Sequence, residues 1–309
     1  MNGPLLRAPV LRIARARWFR FVATRTPVGR AVASRFVAGE RLDDAIAAVR
    51  ELQRAGIDGI LDHLGENVTA PEHAAQAVAD YVRALERIRA EPDLDVMVSV
   101  KLTQLGLDFS EELCTANLER VLAAAEEALS IVMVDMESSA YVDLTLSVFR
   151  TLRERYDRLG IALQSCLRRT SRDLDDLPDG SIVRLVKGAY LEPPEVAFET
   201  REEVSAAFAK LTATLLSRGH VVHVATHDPR LLDGARRFVE QRELPWSQVE
   251  FQMLYGVRRD LQDRFATDGC PVRVYVPYGI EWYPYLTRRL AERPANMWFF
   301  MSNLVRVRR

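Results

Sequence analysis

The sequence predicts an α/β protein, a (β/α)8 barrel, on three observations. Eight short β-rich runs recur along the chain with amphipathic, helix-like stretches between them. Strands alternating with helices build a parallel sheet. Eight such units over roughly 250 residues is the count and size of a closed barrel. The chain of 309 residues also lacks a G-x-G-x-x-G and a P-loop, the phosphate-binding turns of the competing doubly wound sheet.

The runs are Ile57–Asp62, Val96–Leu102, Ile131–Met136, Ile161–Ser165, Ile182–Lys187, Val221–Ala225, Val249–Met253 and Val272–Val276, the last stopping at Pro277. Helices are expected over Pro71–Arg89, Glu111–Leu129, Tyr141–Arg158, Arg201–Arg218 and Pro229–Arg242. Ser110 stands before Glu111 and Glu112, and Asp228 before Pro229, as helix starts do. Gly160 and Gly219 fall where helix C-caps are expected.

Composition narrows the function classes. Hydrophobic residues make up 48% and net charge is −1, so there is a sizeable core and no bias toward nucleic acid. Cys114, Cys166 and Cys270 are few and far apart, which suits a reducing, cytoplasmic compartment. Eight arginines precede the first acid, Glu40. Residues 1–40 are therefore read as a basic helical arm and 41–309 as the catalytic barrel. Arginines mixed with Trp18, Phe19 and Phe21 suit peripheral contact with anionic lipid through residues 1–36; a targeting peptide or a basic helix packed on the barrel are the alternatives.

The polar residues at the strand ends carry the chemistry, because barrel sites lie at the C-terminal rim. They are Asp62 and Glu66, Lys101, Asp135 and Met136, Gln164, Arg184 and Lys187-Gly188-Ala189, Thr226-His227, Gln252 and Leu254, and Tyr275. Each has a structural alternative. Lys101 can be a partner for Asp62 or Asp135, Arg184 and Lys187 part of an ion-pair network, and His227 a satisfied hydrogen-bonding group. Together they are costly to bury without a ligand. His220, His223 and His227 are poorly spaced for a metal. Beyond the last strand, Tyr285, Arg288, Arg289 and Glu292 share one helix face. Two adjacent guanidiniums there form a fork suited to a carboxylate or phosphate.

These residues resemble the bacterial monofunctional proline dehydrogenases. The carriers, spanning roughly Leu61 to Phe300, are LDHLGE at 61–66, SVKLTQLGL at 99–107, VDMESS at 134–139, RLVKGAY at 184–190, VATHDP at 224–229, FQMLYG at 251–256 and YVPYGIEWYPYLTRRLAERP at 275–294. The resemblance implies a distorted (β/α)8 barrel whose last helix lies over the mouth, with noncovalent FAD at the strand ends. It implies oxidation of L-proline to Δ1-pyrroline-5-carboxylate by hydride transfer from C5 to flavin N5, with electrons passed to a membrane quinone.

Carried over position by position, Arg288 and Arg289 clamp the proline carboxylate with help from Lys101. Asp135 pairs with Arg288, Glu292 braces the arginines, and Leu254, Tyr275 and Tyr285 pack on the pyrrolidine ring. Met136, Gln164, Arg184, Lys187, Gly188, Ala189, Thr226, His227 and Gln252 contact FAD. Arg184 is expected near N5 and, with Asp135, is catalytic. The segment LEPPEVAFETREEV after RLVKGAY matches weakly. Without the resemblance, the alternatives are a Schiff-base aldolase using Lys187 and a non-catalytic anion-binding barrel.

Overall fold

The computed structural model describes residues 33–65 and 68–292. Eight parallel strands close into a barrel in sequence order: β1 (Asp58–His63), β2 (Val96–Val100), β3 (Val132–Val134), β4 (Leu159–Gln164), β5 (Ile182–Val186), β6 (Val221–Ala225), β7 (Val249–Leu254) and β8 (Val272–Tyr278). Strand β8 pairs back onto β1, with Ile60 opposite Tyr275 and Leu61 opposite Val276. Each expected run holds a strand, within two residues at either end. The last strand passes through Pro277 rather than stopping there. Pro277 has no N–H to offer, but its carbonyl accepts from Ala38 N at 2.9 Å.

The helices are α1 (Leu42–Arg54), α2 (Pro71–Arg89), α3 (Glu111–Glu127), α4 (Val142–Arg153), α5 (Arg201–Ser217), α6 (Pro229–Gln241), α7 (Arg259–Thr267) and α8 (Trp282–Glu292). Their starts follow the sequence. Ser110 accepts from Leu113 N at 3.0 Å. Asp228 accepts from Arg230 N at 3.1 Å, with Pro229 in the first turn. Gly219 lies just past the end of α5 at φ +81°, as expected of a C-cap glycine.

Gly160 does not cap a helix. Helix α4 stops at Arg153, and Gly160 sits inside β4, paired with Met133 and Ile182. A Cβ there would stand 2.3 Å from Met133 Sδ, so the glycine makes room for a methionine filling the barrel.

Two packing layers result. Outward strand residues such as Val98, Val134 and Phe251 meet the helices in one large core. Phe251 and Phe265 pack with ring centroids 4.6 Å apart, each burial contributing about 1.5–3 kcal/mol. Inside, Ile60, Met97, Met133 and Ile182 form a separate apolar plug, and the polar residues lie around and beyond it.

The barrel departs from regular (β/α)8 geometry in two places. Between β4 and β5 the chain makes only a helical turn, Thr170–Asp173, and a 3-10 turn, Leu174–Asp176. At the seam, α1 packs on β8 and β1, and Gly59 admits it: a Cβ there would lie 2.5 Å from Val49 Cγ2. Helix α8 is thereby free to cross the C-terminal rim. Its Trp282, Tyr285 and Leu286 pack with Leu64 beyond β1 and with Ala33, Phe36 and Val37. Trp282 Nε1 donates to Glu40 Oε1 at 3.1 Å. Of the basic arm, residues 1–32 lie outside the described residues, as do Glu66 and residues 293–309.

Candidate active site

Side chains two apart on a strand share a face, so Ser99 joins Lys101 inside the barrel and Tyr275 joins Arg273. At the C-terminal end these residues converge on Asp135, just past β3. Its Oδ1 accepts from Arg184 Nη1 at 2.7 Å and Ser99 Oγ at 2.9 Å. Its Oδ2 accepts from Tyr275 Oη at 2.7 Å and Lys101 Nζ at 3.3 Å. Lys101 also donates to Asp62 Oδ1 at 2.9 Å. Arg184 donates through Nε to Gln252 Oε1 at 2.8 Å and lies 5.3 Å from the Tyr275 ring centre. Its Nη1 also reaches Ser99 Oγ at 2.8 Å.

Burial alone would push the Asp135 carboxyl up. The charges of Lys101 and Arg184, then hydrogen bonds from Tyr275 and Ser99, outweigh it and hold the carboxyl below the usual range. Asp135 is thus a fixed negative charge between two cations. Tyr275 is pushed the other way, by burial first and then by Asp135, so its hydroxyl stays a donor.

The expected residues fall into three groups. Lys101, Asp135, Arg184, Gln252 and Tyr275 share this one network. Leu254 ends β7 beside it, and Tyr275 lies opposite Leu254 in the sheet. The second group lines the rim. Gln164 is buried and donates to the carbonyls of Met136 and Glu137 at 3.2 and 3.0 Å. The Thr226 hydroxyl accepts from Asp228 N at 3.2 Å. His227 Nε2 accepts from Leu254 N at 2.9 Å, the satisfied role considered as its alternative. Gly188 adopts φ +105°, and a Cβ there would meet Cys166 Sγ at 2.3 Å. Ala189 follows in the same turn. Lys187 is only half-buried and donates to Asp228 Oδ2 at 2.9 Å and Ser205 Oγ at 3.0 Å. A charge-paired ammonium outside the central network does not suit a Schiff-base nucleophile.

The third group is on α8. Tyr285 is buried, and Arg288 and Arg289 are half-buried. The Arg289 guanidinium lies 5.2 Å from the Tyr285 ring centre. The side chain of Glu292 lies outside the described residues. The hydrogen bonds of Asp135 run to Arg184, Ser99, Tyr275 and Lys101; its expected pairing with Arg288 remains a proposal.

The histidines show no metal geometry, and the described residues hold no group of three or more ligands suited to a metal ion. Burial pushes His223 down to about 4, so it is neutral at ordinary pH.

Two groups were missed from the sequence. Ser99 bridges Arg184 and Asp135 and was detectable by its spacing of two from Lys101. Glu250 and Arg273 form a buried pair beneath the site, with Arg273 Nε 2.9 and 3.0 Å from the two carboxylate oxygens; they share inward faces with Gln252 and Tyr275.

The strand-end residues have the chemistry to hold a flavin. Arg184 Nη2 and Gln164 Oε1 are buried with no hydrogen-bond partner among the described residues. A donor and an acceptor left open at one end of a barrel suit the edge of a polar heterocycle, and the Gly188 turn gives backbone close approach. The residues fit.

Comparison with known proteins gives the family. The proline dehydrogenase family profile matches residues 45–302. A proline dehydrogenase of Deinococcus radiodurans is 41% identical over 283 residues, covering 89% of this chain and 90% of that one. Proline dehydrogenase 1 of Bacillus subtilis (strain 168) is 38% identical over 275 residues, covering 89% and 91%. Among solved structures, a proline utilization A (PutA) from Bdellovibrio bacteriovorus, inactivated by N-propargylglycine, aligns with TM-score 0.78 at 26% identity. That alignment covers 85% of this chain but only 32% of the larger protein. On its profile match and its relatives, this chain belongs to the proline dehydrogenase family.

Proposed function

We propose that this chain oxidises L-proline to Δ1-pyrroline-5-carboxylate, the first step of proline degradation, using noncovalently bound FAD. Proline dehydrogenases are flavoenzymes. The observation that carries the reading for this chain is Arg184. It is buried, bonded to Asp135 and Gln252, and among the described residues its Nη2 has no hydrogen-bond partner.

When bound, the flavin supplies the two-electron acceptor for the C5–H bond of proline. Gln164, Arg184, Gln252, Thr226, His227, the Met136 backbone and the Lys187-Gly188-Ala189 turn would hold it. Arg288 and Arg289 orient the substrate carboxylate from above, and Lys101 adds positive charge from below. Tyr275 and Leu254 wall the pyrrolidine ring, with Tyr275 fixed by its bond to Asp135. Arg184 presents a donor to charge that develops during reaction. Lys101 and Arg184 hold the Asp135 carboxyl below the usual range, which makes it a weak base suited to orienting groups and balancing charge. The substrate's ring nitrogen must lose its proton for the C=N bond to form. Orientation and fixed charge are thus this chain's contribution.

A quinone would be the final electron acceptor. Among the described residues no helix is long and apolar enough to cross a membrane. Lipid contact is assigned to the basic arm of a cytoplasmic protein held at the inner membrane face. Ala33, Phe36 and Val37 are buried against α8, so a truncation that tests lipid binding should end at residue 32.

Anaerobic titration of the purified holoprotein with L-proline tests the activity. The flavin band is expected to bleach as proline is added. A protein that shows no flavin spectrum, and gains none with added FAD, refutes the reading.

A further inference from the structure

We propose that Glu250, held by Arg273, is a positioning residue that sets the direction in which Arg184 presents its guanidinium to the cofactor. The proposal rests on the reading of Arg184 given above and extends it to a pair that touches neither substrate nor flavin.

The Gln252 amide links the two. Its two ends differ chemically, one accepting and one donating, and the amide can rotate by half a turn. Arg184 offers only donors and needs the oxygen, which it meets at 2.8 Å from Nε. An amide turned the other way would set N–H against N–H. Glu250 prevents this. It lies two residues before Gln252 on β7, on the same inward face, and its Oε1 accepts from Gln252 Nε2 at 2.7 Å. An ionised carboxylate accepts only, so it selects one amide orientation.

Glu250 is itself fixed from below. Arg273 Nε contacts both of its oxygens at 2.9 and 3.0 Å. Arg273 is anchored in turn by the carbonyls of Gly59 and Asp95, at 3.2 and 3.1 Å. The result is an unbroken chain from the barrel floor to the reacting end: Arg273, Glu250, Gln252, Arg184, Asp135. Next to that end, Arg184 Nη2 is buried with no hydrogen-bond partner among the described residues. Arg184 has five N–H donors in one rigid plane. Fixing Nε on Gln252 and Nη1 on Asp135 therefore fixes where Nη2 points.

The test compares Glu250→Gln with wild-type holoenzyme, reading the flavin midpoint potential and the steady-state constants with proline. Glutamine at 250 can present either an oxygen or an NH2, so the amide at 252 loses its bias. The equilibrium favouring reduced flavin should weaken about tenfold, which is about 30 mV more negative for a two-electron couple. The kcat should fall about tenfold while KM for proline changes less than threefold, since the carboxylate clamp is on another element. A packing role alone would lower thermal stability and leave the potential in place.

Should Glu250→Gln not accumulate, Glu250→Asp is read instead. It keeps a carboxylate near Arg273 but withdraws it from Gln252, and both potential and kcat should move the same way by a few-fold. The control is Arg184→Lys. If Arg184→Lys shifts the potential and the folded Glu250 variant does not, the positioning role is wrong. If neither shifts it, the reading of Arg184 itself is wrong.

Discussion

Replacing Asp135 by asparagine should be the most informative single change, because it removes one charge on which four side chains converge. Arg184 and Tyr275 both meet it at 2.7 Å. A buried ion pair broken at one partner costs about 3–5 kcal/mol. That figure is an upper bound here, since Lys101 keeps Asp62 at 2.9 Å and Arg184 keeps Gln252 at 2.8 Å. Counting the two short bonds at about 1.5 kcal/mol each gives a loss of about 3 kcal/mol. The asparagine amide also turns a donor toward cations that need acceptors. The variant should unfold at a Tm lower by about 5–10 °C. Its kcat/KM for proline should fall about 100-fold, about 2.7 kcal/mol of transition-state stabilisation.

The pH dependence gives a second check. The Asp135 carboxyl is depressed in the folded protein. Its stabilisation is therefore complete above the unfolded carboxylate pKa, about 3.9, and is lost as pH falls through the lower folded value. The stability gap between wild type and Asp135→Asn should be flat from neutral pH to pH 5 and close only in stronger acid. Urea melts at several pH values, with dye-linked turnover, measure both effects. Equal kcat/KM for the two proteins, or a gap that widens on acidification, would refute the reasoning.

Three further outcomes are expected. Arg289→Met should raise KM for proline about 10–100-fold, from a charge-assisted pair of about 1.5–3 kcal/mol; an unchanged KM in initial-rate assays would remove Arg289 from the clamp. Gly188→Ala should give protein depleted in flavin, because φ is +105° and the new methyl would meet Cys166 Sγ; absorbance ratios of the purified protein measure this, and full flavin content would show that the turn adapts. Asp58 is pushed up to about 6, by burial first and against the pull of Arg273. A raised folded pKa means that stability is greatest below the unfolded value and declines as pH rises through about 6. Asp58→Asn should therefore raise Tm at pH 7.5 and leave it unchanged near pH 4 by calorimetry; a lower Tm at pH 7.5 would show that its pairing with Arg273 outweighs its burial.

Strands were legible because each buried run is short, β-branched and bounded. Val221–Ala225 matched its strand at both ends, and the residues just past such runs proved to be the polar network. What stayed hidden depends on contacts across the barrel. Gly160 looks like a helix stop to local chemistry, and only the facing Met133 explains it. Glu250 and Arg273 read as ordinary strand charges until the register brings β7 beside β8. Pro277 looked like a terminator, yet at the rim a strand residue can act as an acceptor alone.

Helix α1 fills the outer seam between β8 and β1, and this separates two tasks that a regular barrel assigns to one element. The wall is sealed by a segment that precedes the first strand, so it is complete once β8 has docked. Helix α8 owes nothing to that closure. It rests on the rim through a small cluster with residues 33–37. Substitutions in α8 can therefore retune the grip on small amino acids at little cost to the barrel, which makes this helix the natural segment to randomise when a new substrate is sought.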